Sequence, residues 1–173
     1  MSARVQPCAI PAHSAIGSRV PGAHFHDSYQ VMVANASTTA MGHVMRLGEC
    51  TPAWVEAMMG LRNRVVRWLG LKNLGGLRGV DPHKPESAYV PGDRVGIFTL
   101  ISQTPDEVLM GDNDKHLNVT VSVMRLTPDA TGQRAIAVST VVRVHNTLGH
   151  LYMLPVAPMH RRIVPAVLAG LAK

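Results

Sequence analysis

The chain has 173 residues, 46% hydrophobic and 16% charged, a composition that suits one globular domain and excludes a disordered chain. No apolar run approaches the roughly 20 residues that a membrane helix needs, because Thr, Ser, Arg or His interrupts each one, so no membrane span is expected. The net charge of +6 allows weak attraction to anions, but Lys and Arg are scattered, and two Phe, three Tyr and two Trp offer no stacking platform, so nucleic acid is not expected as a partner.

Residues 1–23 hold Pro7, Pro11, Gly17, Pro21 and Gly22 without periodicity. They read as an extended or partly disordered arm, a loose leader that stays attached to a single domain over 24–173. With only Cys8 and Cys50, a disulfide framework is not expected, and free thiols in a reducing cytoplasm are.

The first strand is predicted over Ser28–Ala34, where Tyr29, Val31 and Val33 alternate with Ser28, Gln30 and Met32. A helix follows from about Thr39 to Leu47, with Ser37 or Thr38 as its cap and Gly42 as its weak point. Thr51 as N-cap and Pro52 at the first position open a second helix that Gly70 ends. Trp54, Met58, Leu61, Val65, Trp68 and Leu69 form one stripe on it, expected as core, and Arg62 projects into that arc. Arg62 is either a buried charge with a partner or an edge residue snorkelling to water.

Residues 72–94, with Gly75, Gly76, Gly79, Pro82, Pro85, Pro91 and Gly92, read as a long loop that suits a flap over a pocket. From Val95 the period changes to two, with strands near Val95–Gln103, Glu107–Gly111, Leu117–Leu126, Ala135–His145 and His150–Leu154. Their connections are short and turn-rich, which makes neighbours antiparallel. Pro158 opens a closing helix, Met159–Leu171, anchored by Met159, Ile163 and Val167, with Pro165 kinking or splitting it.

The expected fold is therefore α+β: a curved antiparallel sheet wrapped around a C-terminal helix, with two helices after the first strand. That order is the one seen in helix-grip, START-like proteins, and it leaves an apolar cavity between sheet and helix. His160, on the apolar face of the closing helix, reads either as a core histidine or as a hydrogen-bond donor or general base. Asp112, Asp114 and His116 lie within five residues and read as a hairpin turn or as metal ligands, with the turn favoured. Asp114 is a candidate partner for Arg62 or His116. His145 and Tyr152 flank the turn through Gly149, and Tyr152 offers a phenol at the cavity mouth. Trp54 completes the ligand-binding candidates. No zincin, nucleophile-elbow, P-loop or dinucleotide signature is present, so no metal and no cofactor is expected.

A spaced set of words extends these readings: Phe25-His26-Asp27-Ser28-Tyr29, Pro52-Ala53-Trp54, Leu61-Arg62-Asn63, and Gly111-Asp112-Asn113-Asp114-Lys115-His116-Leu117. Ser139-Thr140-Val141-Val142, His145-Asn146, Tyr152 and Pro158-Met159-His160-Arg161 follow. Over residues 25–172 the chain resembles the bacterial domain-of-unknown-function family 2867. The resemblance implies a START-like fold and no established activity; Met159 stands where that family more often has Phe, a change of pocket shape. Three functions are expected, in this order: binding of an apolar small molecule, lipid or polyketide-like; acid-base catalysis of the cyclase, dehydratase or isomerase type in the same cavity; and a protein-interaction module or homodimer.

Overall fold

Period-two segments joined by short turns build the molecule around one sheet. The computed structural model describes residues 4–34, 37–68, 76–77, 79–81 and 83–172. Its strands are β1 (Gln6–Pro7), β2 (Phe25–Val33), β3 (Arg94–Val95), β4 (Phe98–Gln103), β5 (Glu107–Asn113), β6 (Leu117–Arg125) and β7 (Arg134–Val144). They form a single antiparallel sheet in the order β1-β2-β7-β6-β5-β4-β3. Helices α1 (Ala40–Glu49), α2 (Ala53–Trp68) and α3 (Thr147–Leu168) complete an α+β, helix-grip-like architecture with a C-terminal helix. Most of the predicted loop over residues 72–94 is described, at 76–77, 79–81 and 83–94; it holds a 3-10 turn, Glu86–Ala88, and the start of β3, and its Tyr89 is buried in the core.

The pairing register lines up side chains in rows on the inner face. Phe25, Val142, Val119 and Asp112 form one row, and Asp27, Thr140, Val121, Met110 and Leu100 the next. Tyr29, Val138, Val123 and Val108 follow, then Val31 and Ile136. The last rows are sealed: Val31, Val123, Val108 and Ile136 are at most 1% exposed. They pack with Ala40, Met41 and Val44 of α1, with Leu168 at the end of α3 and with Leu171 in the 3-10 turn that follows it. Burying side chains of this size stabilises by about 1.5–3 kcal/mol each, so this end anchors the fold. At the other end Phe25, Asp27, Val119 and Phe98 are only half-buried.

The arm is not a loose leader. Gln6 and Pro7 pair with Gln30 and Tyr29 as an edge strand, and a 3-10 turn over Ala15–Arg19 is laid on the outer sheet face. There Ile16, fully buried, packs with Leu109 and Val141. Ser14 Oγ donates to Glu107 Oε1 at 2.5 Å, and Ser122 Oγ to the same oxygen at 2.6 Å. The covered outer face explains why β7 is buried on both sides over most of its length and reads as a near-continuous apolar run.

The largest departure from the sequence reading is residues 147–158. No strand forms at 150–154. Asn146 Oδ1 accepts from Gly149 N at 3.0 Å and caps α3, which starts at Thr147, twelve residues before Met159, so the apparent hairpin turn is a helix N-cap. Gly149 is required there, because a Cβ would overlap the His116 carbonyl and the Val144 side chain. The helix then runs through Pro155, Pro158 and Pro165 without a break, so Pro165 does not split it. Its deepest anchors are Leu168 and Leu171 with Val164 beside them, while Met159, Ile163 and Val167 stay half-exposed.

Smaller differences have local causes. The first strand starts at Phe25, three residues earlier than predicted, because its pairing with β7 continues to Val142. Thr39, one residue beyond the predicted cap, receives the Gly42 amide. Gly42 is no weakness: a Cβ would press on the Glu86 carboxylate, which also binds the Thr39 hydroxyl. Thr51 Oγ1 donates to the Leu47 carbonyl, tying α2's entry to α1. The segment Val95–Gln103 is a hairpin rather than one strand, turning at Gly96 with φ of 59°.

Candidate functional site

At the open end of the inner face the strand alternation places Asp27 among valines, and α3 carries His160 over it. His160 Nδ1 lies 3.0 Å from Asp27 Oδ2, with side-chain exposures of 23% and 12%. A carboxylate at that distance favours the tautomer with the proton on Nδ1 and the lone pair on Nε2. Phe25 meets the imidazole edge-on at 5.5 Å between centroids. Asp27 Oδ1 is buried and has no hydrogen-bond partner among the described residues. One strand position deeper, burial and secondarily the Asp27 carboxylate push the Tyr29 phenol above its usual value, which keeps it a neutral donor.

A second polar pair links the two outer helices. Arg62 Nε donates to Tyr152 Oη at 3.0 Å, the guanidinium stands 5.5 Å from that ring centroid, and Nη1 donates to Asn63 Oδ1 at 3.0 Å. Arg62 is thus half-buried with partners, which answers the puzzle of a charge in an apolar arc. Tyr152 belongs to α3 and not to a strand. Eight residues of helix separate it from His160, about 12 Å along the axis. The two pairs therefore stand about two helical turns apart along α3.

The remaining candidates lie elsewhere. Asp114 Oδ1 accepts from Lys115 N at 2.7 Å in the β5–β6 turn; it contacts neither Arg62 nor His116 among the described residues. His116 Nδ1 pairs with Asn146, and its carbonyl accepts from His145 N, so it clasps the start of α3. Asp112, on the inner face, is 3.9 Å from Arg94 Nη1. Among the described residues no group of three His, Cys, Asp or Glu side chains is placed to hold a metal ion. His145 faces an outer cleft. Trp54, expected as core, is 43% exposed, and Leu61 and Val65 on the same helix are 52% exposed; among the described α2 side chains, Val55 is the fully buried one. Leu151 and Leu154 of α3 are exposed too.

Asp27 was not among the residues singled out from the sequence. Its signal was the alternation itself: extending Tyr29, Val31, Val33 back by two positions puts Asp27 on the core face, where an unpaired carboxylate is costly.

A comparison with curated proteins finds no match, and neither does one with solved structures. A family model does match, over residues 19–167, which spans every strand from β2 to β7 and nearly all of α3. The chain belongs to the family described as protein of unknown function, DUF2867.

Proposed function

We propose that the protein binds a small molecule with an apolar body between the open inner face of the sheet and helices α2 and α3, with Asp27 and His160 as its polar anchor. The observation that carries this reading is the gradient of burial along the inner face. Valine rows sealed under α1 give way to half-buried Phe25, Val119 and Phe98 beside a hydrogen-bonded carboxylate and imidazole. Apolar side chains that remain uncovered on α2 and α3 are consistent with walls around a ligand. A START-like ancestry and a cytoplasmic location, suggested by two free thiols, belong to the same proposal. The test is to purify the protein under non-denaturing conditions, record its native mass spectrum, and titrate it with fatty acids and aromatic polyketide-like compounds. A Val119→Trp variant fills the region and should lose binding while keeping its circular dichroism. Retained affinity in that variant would place the ligand elsewhere.

One observation favours a second reading, acid-base catalysis. A carboxylate that fixes the imidazole tautomer leaves Nε2 oriented as a proton acceptor toward whatever lies beside Phe25. Under this reading His160→Gln keeps ligand affinity but abolishes conversion of a bound β-hydroxy or enolisable compound, followed by mass spectrometry. Equal conversion by wild type and variant would remove His160 from the chemistry.

A further inference from the structure

The molecule has a second concave site, on the opposite face of the sheet from Asp27 and His160. Ser18 and Arg19, at the end of the 3-10 turn, form one wall, and Asn118, Thr120, Val141, Arg143 and His145 of β6, β7 and the following residue form the floor and the other wall. The cleft encloses about 280 Å³. That volume sits at the small end of ligand pockets, which run from about 300 to 1,000 Å³, so it suits a compact molecule and not a lipid.

The lining is unusual in sign. Two guanidiniums and an imidazole share the space, and none of the lining residues is a carboxylate. Elsewhere on the sheet arginines are matched: Arg125 and Arg134 by Asp106, and Arg94 by Asp112. Arg19 makes no hydrogen bond or ion pair among the described residues. Arg143 Nη2 donates to the Pro21 carbonyl, which holds the guanidinium against the arm while its other N–H groups stay available. Glu107, an acid on the same face of the sheet, is held by Ser14, Ser122 and the Ala15 amide. Thr120 and Asn118 add a hydroxyl and an amide at the floor, and the buried Val141 supplies a small apolar patch.

We propose that this outer cleft binds a small oxyanion, a phosphate or carboxylate carried on a compact metabolite, through Arg19 and Arg143 with Asn118, Thr120 and His145 completing the donor set. Planar guanidiniums match the two oxygens of such groups in bidentate fashion. Because the cleft is walled by the arm, the anion bridges the arm to the sheet and holds the arm in place.

Titration of the full-length ¹⁵N-labelled protein with inorganic phosphate in one arm and malonate in the other, at constant ionic strength set with chloride, tests this. The expected result is saturable shifts of the Asn118, Thr120 and Arg143 signals with at least one anion; the tighter one assigns the ligand class. Arg19→Gln combined with Arg143→Gln should weaken binding by about tenfold or more, whereas Arg64→Gln with Arg162→Gln, removing equal charge elsewhere, should change it less than about twofold. Shifts that chloride reproduces, or equal weakening in both double variants, would overturn the proposal. All four arginines are half-exposed or exposed, and circular dichroism identifies any variant that loses its fold; in that case Thr120→Val, which removes the floor hydroxyl alone, must weaken the same anion.

Discussion

His43 gives the protein an acid-sensitive core. It lies on α1 at 0% exposure, and neither ring nitrogen is hydrogen-bonded among the described residues. Burial first, and then Arg46 and Arg125, lower its pKa from 6.5 to about 4, against an opposing pull from Glu86. The folded protein therefore refuses a proton that the unfolded chain accepts. Stability from this group is complete above pH 6.5 and declines as pH falls toward about 4, where the folded form also protonates. At about 1.4 kcal/mol per pH unit the gap amounts to about 3 kcal/mol, a large part of the roughly 5–15 kcal/mol that holds a domain together. Urea unfolding of wild type and His43→Leu, at steps from neutral pH down to about 4, reads this directly. Leu occupies similar volume and leaves no unbonded polar nitrogen, so the variant should match or exceed wild type at neutral pH and lose about 3 kcal/mol less on acidification. Parallel pH profiles for the two proteins would refute the reasoning.

Other perturbations follow from the same geometry. Gly149→Ala drives a Cβ into the His116 carbonyl and the Val144 side chain and should cost about 1–3 kcal/mol, measured as a lower urea midpoint; an unchanged midpoint would mean that α3 starts differently. Asp27→Ala removes the acceptor 3.0 Å from His160 Nδ1, and the ¹⁵N shifts of that imidazole should move from one fixed tautomer toward a mixture. If the two ring nitrogens of wild type already report a free mixture, the pairing does not exist in solution. Glu107→Ala leaves Ser14 and Ser122 without their shared acceptor, and proteolysis within residues 8–22 should accelerate as stability falls by about 1–3 kcal/mol; cleavage at the wild-type rate would show that Ile16 alone holds the arm.

The legible parts of the fold were those set by neighbours in sequence. Val119, Val121 and Val123 alternate with Thr120 and Ser122, and that period alone assigns β6; turn residues at 114–116, ending two positions later than the turn over 111–114 expected from the sequence, and at Pro128–Gly132 then make its neighbours antiparallel. The α2 span was legible from Pro52 onward, and so was Arg62 as a charge in need of a partner. The stripe Trp54, Leu61, Val65 misled because periodicity shows that residues share a face but not what covers that face. Leu151 and Met153 likewise alternate as a strand would, while one hydrogen bond from Gly149 to Asn146 decides for helix.

The candidate site divides along the same line. The sequence by itself determined the α+β order, the family words, and His160 on the apolar side of the last helix. Only tertiary structure decided that Asp27 is the partner of His160, 133 residues away in the chain, that Arg62 meets Tyr152, and that Arg19 and Arg143 share a cleft. Each of these pairs joins segments whose separation no local periodicity encodes; the sheet register and the path of α3 bring them together, and those are set by burial of the rows from Val31 to Val108 rather than by the polar residues themselves.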